Sequence, residues 1–323
     1  MGQLGGRALV GVATLAALLG LLVGTGTGMS LALYTASTAV GSNTMTTAAR
    51  FDVTPPTING SVIAKATGTG QYLSGSIKPS GTFYVYANVV DTGTSASGVA
   101  TVTADVSSIK AGATAVALVA GSFTVTGVSF NYRSAAQTAD NKAAGGYTYK
   151  ITATDNGGNV ATTTTSVTVD ATVPAGSDIQ TTNGGTAGRP DTGDTIIYTY
   201  TKQIDPESIL AGWTGASTAV TIRLTLSGNT VTIYNPANTA QLPLGSVALG
   251  TAYVTANATY SGTMVESGAR ITITLGSLTG GTVKTNTTAK NMAWTPSATA
   301  TDGAGNACST AAKTETGTLD VDF

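Results

Sequence analysis

Residues 145–170 read GGYTYKITATDNGGNVATTTTSVTVD. In the first half, Tyr147, Tyr149, Ile151 and Ala153 share one face of a period-2 pattern; in the second, Val167 and Val169 do. Alternation of this kind marks a half-buried strand. Between the halves stands Asp155-Asn-Gly-Gly-Asn159. Gly and Asn accept left-handed backbone, and an Asp side chain accepts nearby backbone N–H groups, so the stretch turns. The segment is predicted to be a hairpin in an all-β chain. A near copy, ATDGAGNACSTA, occupies 300–311. One closing hairpin used twice implies two related modules in tandem.

Moving outward, TFYVYANVVD (82–91) places Phe83, Val85, Ala87 and Val89 on one face and Tyr84, Tyr86 and Asn88 on the other. VTADV (102–106) aligns Val102, Ala104 and Val106. Short strands broken by Gly and Ser suggest a sandwich. DVTPPTI (52–58) and DATVPAGSDI (170–179) each place Asp, Thr and Pro together. Proline fixes φ and extends the residue before it, which makes stiff connectors. The predicted domains are 53–170 and 171–323. In the second, Asp205-Pro206-Glu207 fits a helix start, with Asp as N-cap and Pro at the first turn. Ile196, Tyr198 and Tyr200 alternate with Ile197 and Thr199, further strands are expected at 219–226, 229–234, 271–276 and 293–301, and NPANTAQLPLGS (235–246) reads as an irregular connection.

Composition agrees with strands. Charged residues are 10% and aromatics 6% of the 323, and the rest is rich in Gly, Thr, Ala, Ser and Val. β-Branched residues suit a pleated surface. The net charge of −1 offers no basic patch for nucleic acid. With no histidine and one cysteine, Cys308, the chain can build neither a His/Cys zinc site nor a Ser-His-Asp or Cys-His centre. An internal disulfide is impossible, so each module must hold by burial. Cys308 reads as a small buried filler.

Residues 1–32 carry Arg7 and then an apolar run from Ala8 to Val23. Ser30-Leu-Ala32 supplies small residues for cleavage after Ala32, so a signal peptide is expected. The following stretch, 33–52, is expected to be an extended segment.

What remains for chemistry is carboxylates and aromatics. Domain one holds no glutamate, and its aspartates sit at turns or strand ends, so no enzyme is expected. Calcium takes several hard oxygens, but neither Asp-Gly-Asn loop has EF-hand spacing. A site would have to form across loops. The candidates are Asp155 with Asp52 or Asp170, and Asp191 and Asp194 with Asp302. The plainer reading of the same aspartates is that they cap their own turns. Trp213 and Trp294 are the candidate ligand residues for a glycan, or else core.

Two resemblances add to this. ALYTASTAVGSNTMTTAARFD (32–52), with Tyr34-Thr35, Asn43-Thr44-Met45 and Phe51-Asp52, resembles the leader junction of TasA/camelysin-type substrates of a dedicated signal peptidase. It implies export. Ser97-Gly98-Val99, Tyr147 and the Asp155…Gly158-Asn159 hairpin resemble bacterial immunoglobulin-like domains of cell-surface proteins, and 171–323 is similar to a second such type. That implies two tandem immunoglobulin-like β-sandwiches after an N-terminal signal helix, with Tyr147 as either a tyrosine corner or an ordinary core tyrosine. The expected role is a non-enzymatic, secreted structural or adhesive module. Its partner would be a protein or glycan at the cell surface, and the membrane is met only through the signal peptide before cleavage. A fibre subunit that self-associates by strand addition and a carbohydrate-binding accessory module are the alternatives.

Overall fold

In the computed structural model the described residues are 51–323, apart from 66–72 and 94. The expected signal peptide, its cleavage point and nearly all of the 33–52 segment lie outside them. Among the described residues no helix is long and apolar enough to cross a membrane.

The fold is all-β. The first nine strands are β1 (Thr57–Lys65), β2 (Ser76–Ile77), β3 (Thr82–Val90), β4 (Val99–Asp105), β5 (Val116–Val125), β6 (Val128–Ser134), β7 (Gln137–Thr138), β8 (Gly145–Asp155) and β9 (Val160–Val169). They form one sheet in the order β1-β3-β6-β5-β4-β8-β9-β2, with β7 beside β3. Its ladders are antiparallel except β2 with β9. Gly75 N also donates to Ile63 O of β1 and Gly75 O accepts from Thr168 N of β9, which brings the two ends of the sheet together into a barrel-like roll.

The β3 alternation decides which way the sheet faces. Phe83, Val85, Ala87 and Val89 are buried, packed with Val102, Ala104, Ile151, Val167 and Val169. Full burial of each large side chain contributes about 1.5–3 kcal/mol. The other face of β3 builds a small outer cluster, in which Tyr86 meets Phe123 and Phe130 at centroid distances of 6.0 and 5.9 Å. Tyr147 donates its hydroxyl to Ala143 O at 3.0 Å, four residues upstream, tying the loop before β8 to the sheet.

The second sheet uses β10 (Gly176–Thr182), β11 (Thr195–Tyr200), β12 (Thr218–Thr225), β13 (Thr230–Tyr234), β14 (Gln241–Ala248), β15 (Val254–Ser267), β16 (Arg270–Val283), β17 (Ala293–Thr295) and β18 (Lys313–Thr314). Their order is β10-β11-β16-β15-β12-β13-β14-β17-β18. It too rolls round, since Gln180 of β10 reaches Thr316 O just past β18 at 2.7 Å. A single turn of helix, α1 (Pro206–Ile209), starts as its sequence dictates: Asp205 caps Glu207 N and Pro206 occupies the first turn. The predicted cut at 170/171 falls between β9 and β10, and each sheet has its own core.

Three readings need correction. The stretch 235–246 is not irregular throughout, because its second half starts β14. Leu242, Leu244 and Val247 are buried, but Gly245 at φ +88° flips the alternation. Pro243 lies where the β13–β14 register slips, so its missing N–H breaks no ladder. β15 was not expected at all; four register shifts against β16 hide its period. β17 stops at Thr295 because Pro296 follows.

Candidate functional site

The two copied loops have the same internal geometry. In the first, Asp155 Oδ1 accepts Asn159 N at 2.8 Å and Oδ2 accepts Asn159 Nδ2 at 2.9 Å. In the second, Asp302 Oδ1 accepts Asn306 N at 2.8 Å and Oδ2 accepts Asn306 Nδ2 at 3.0 Å. Gly158 and Gly305 hold the matching left-handed position, at φ +87° and +92°. Each loop is closed by its own aspartate and asparagine.

Each asparagine also reaches outward, to the connector that enters its module. Asn159 Nδ2 donates to Asp52 O at 3.1 Å, and Asn306 Nδ2 donates to Asp170 O at 2.9 Å. Both connector aspartates then cap their own Asp-x-Thr turn: Thr54 N reaches Asp52 Oδ1 at 3.0 Å, and Thr172 N reaches Asp170 Oδ1 at 2.8 Å. The repeat seen in sequence is therefore a repeated staple, joining the last hairpin of a module to its first residues.

The staples differ in their charge. In the second, Lys202, two residues past β11, places Nζ between Asp302 Oδ2 at 2.7 Å and Asp170 Oδ2. Burial opposes charge on Asp170, but the hydrogen bond and charge of Lys202, with Thr172 N–H, outweigh it and lower its pKa. Burial likewise disfavours the Lys202 ammonium, and the two aspartates overcome this and raise its pKa.

In the first staple, the residue just past β3, in the place topologically equivalent to Lys202, is Asp91. Carboxylate oxygens of Asp52, Asp91 and Asp155 all lie within 4.8 Å of one another. Asp91 Oδ2 accepts Gly98 N at 2.6 Å, but its Oδ1 is buried with no partner. Asp52 Oδ2 is held by Ser97 N and Oγ at 2.9 and 2.8 Å. Hydrogen bonds from Thr54 and Ser97 hold the Asp52 carboxyl below its ordinary range. Three acceptor-only groups thus converge where the second module sets an ammonium.

The two modules also dock. Lys65, at the end of β1, pairs with the α1 cap Asp205 and donates to Thr301 Oγ1 at 3.2 Å and Asp302 O at 3.0 Å. Both side chains are under 10% exposed, at 7% and 3%. Lys78 N donates to Ala304 O at 3.0 Å, inside the second copied loop.

The expected site residues separate. Asp155 meets Asp52, and Asp91 joins them, a residue the sequence reading left out. Asp170 and Asp302 meet across Lys202 and form no cation cluster. Asp191 and Asp194 do not join Asp302. Asp194 caps Gly184 N and Asp191 N at 2.8 Å each, and Asp191 accepts Thr186 N, so the pair ties the loop before β11. Trp213 and Trp294 are buried, at 4% and 0% exposure, which favours their core reading over the glycan one. Their Nε1 atoms are used on Ala216 O and Leu244 O, and Trp294 packs edge-on against Tyr198 and Tyr200. Cys308 is buried, which pushes its thiol up to about 11.

No protein-family profile matches the chain, and no curated protein matches it. Among solved structures, it is similar to dimeric latent PorU from Porphyromonas gingivalis at 14% identity and a TM-score of 0.21. The match covers 69% of this chain and 20% of that one, so the chain spans about a fifth of PorU's length. A likeness at that score carries no argument about function.

Proposed function

We propose that the chain is a non-enzymatic, exported surface or matrix protein of bacteria, built of two tandem immunoglobulin-like sandwiches that act as a stiff structural or adhesive module. The observation that carries this is the duplicated staple, which fixes Asp52 and Asp170, the residues that open each connector, to the closing hairpin of the module that follows. A spacer needs connectors that do not swivel. The order β1-β3-β6-β5 then β4-β8-β9 supports the immunoglobulin assignment, since it follows A-B-E-D and C-F-G. The buried Lys65–Asp205 pair supports stiffness between modules.

Calcium belongs to this reading as the cation held by Asp52, Asp91 and Asp155. Three carboxylates suit a hard ion. The buried, unpartnered Asp91 Oδ1 is an oxygen waiting for a ligand. In the second module the Lys202 ammonium sits between Asp170 and Asp302, which supports a positive charge at the matching place in the first. The first connector is then ion-dependent and the second carries its own cation.

The test is expression with its own leader in a Gram-positive secretion host. The reading expects released protein that starts after Ala32 and whose small-angle scattering gives one fixed two-module shape in calcium. Uncleaved protein retained in the cytosol, or a scattering profile of freely swivelling modules, overturns it.

A further inference from the structure

A second carboxylate group lies at the far end of the chain, away from both staples. Oxygens of Glu315, Asp320 and Asp322 lie within 4.8 Å of one another. Glu315 is 8% exposed and Asp322 is 0% exposed, while Asp320 faces solvent. Asp322 Oδ1 is buried and has no hydrogen-bond partner. Its Oδ2 has one distant donor, Tyr253 Oη at 3.4 Å. A fully buried carboxylate with an orphan oxygen is costly unless a proton or a cation completes it.

The segment is held still. Glu315 and Met292 exchange two bonds, Glu315 N to Met292 O at 3.0 Å and Met292 N to Glu315 Oε2 at 2.9 Å. Lys290 N donates to Asp320 O at 3.0 Å. Phe323 stacks edge-on against Tyr253 at 5.2 Å. The described ion pairs, made by Lys65 and Lys202, lie elsewhere. The charged groups facing the cluster are further acids: Asp178 bears on Glu315, and Asp320 on both buried carboxylates.

We infer that Glu315, Asp320 and Asp322 form a second site for a hard divalent cation, with Asp320 and water on the open side and the two buried carboxylates behind. Three carboxylate oxygens supply the donor type calcium takes, leaving its remaining positions to water. This site is independent of the connector cluster.

Terbium, a luminescent calcium substitute, tests it in the full chain, because Tyr253 lies beside Asp322 and sensitises a bound ion. The expectation is tyrosine-sensitised emission that calcium competes away. Tyr253→Phe should remove the emission and leave the calcium-induced rise in melting temperature. Asp320→Asn, at an exposed position that does not threaten folding, should weaken the Tyr253-sensitised terbium signal tenfold or more, and Asp322→Asn should abolish that signal. Failure at the connector cluster would leave these results untouched. Emission that survives both Tyr253→Phe and Asp320→Asn, or no emission in the wild-type chain, overturns the site and leaves Asp322 as a protonated acid.

Discussion

Replacing Lys202 by methionine keeps the apolar stem and removes the charge between Asp170 and Asp302. Asp302 is 1% exposed at its side chain, whereas Asp170 is 23% and Lys202 25% exposed. Removing one partner of a fully buried pair costs about 3–5 kcal/mol, and an exposed pair is worth about 0–1 kcal/mol. One buried partner and two quarter-exposed groups place this change at about 2–3 kcal/mol. For a module of this size, 1 kcal/mol shifts the midpoint by about 2–4 °C, so thermal unfolding should fall by about 4–12 °C. The wild-type stabilisation has a pH window. Asp170 has a lowered pKa, so its share is present above its unfolded value of 3.8 and lost as pH falls through the folded one. Lys202 has a raised pKa, so its share is full below 10.5 and lost as pH rises through the folded value. The variant's deficit should therefore be largest between these limits, measured by differential scanning calorimetry from pH 3 to 11. Lys202→Asp should show a larger deficit than Lys202→Met, because it sets a third carboxylate beside Asp170 and Asp302 where the ammonium stood. A Lys202→Met midpoint within a degree of wild type at pH 7 would refute the reasoning.

Other outcomes follow from the same structure. Lys65→Met leaves Asp205 buried without its cation, so it should cost about 3–5 kcal/mol and loosen the two modules, read by calorimetry and by small-angle scattering. Asn159→Ala and Asn306→Ala each remove a side-chain amide that spans loop and connector; a loss of about 1–3 kcal/mol is expected, with new proteolytic cuts near 52–57 and 170–175 respectively. Burial raises Glu266 to about 7, so its contribution to stability is present below the ordinary glutamate range and lost as pH rises through 7. Glu266→Gln should flatten that pH slope and melt higher than wild type at pH 8.

The all-β character and the first module were legible because their strands alternate cleanly. Period 2 was enough to put Phe83, Val85, Ala87 and Val89 on one face of β3, but only the packing shows that this face is the inner one. The second module was harder to read. Gly245 flips the alternation of β14, and successive register shifts break that of β15, so no simple period survives. The staple was half legible. Asp155, Asp302 and the connector aspartates stand out as repeats, but Asp91 does not, since it ends an ordinary strand 64 residues from Asp155 and meets it only through the β4–β8 pairing that folds the Ser97-Gly98 loop onto the hairpin. Lys202 was invisible for the same reason: a lone lysine after a strand has no local pattern to mark it. The tryptophans illustrate the opposite limit, because sequence identifies a large aromatic but not the side it faces.

On this proposal, one staple holds a metal ion where the other holds Lys202. Crystals of the chain grown with manganese, mapped by anomalous scattering, test it most directly. The account predicts a peak bounded by Asp52, Asp91 and Asp155 and none between Asp170 and Asp302. No peak at the first cluster, or a peak that displaces Lys202 at the second, would contradict it.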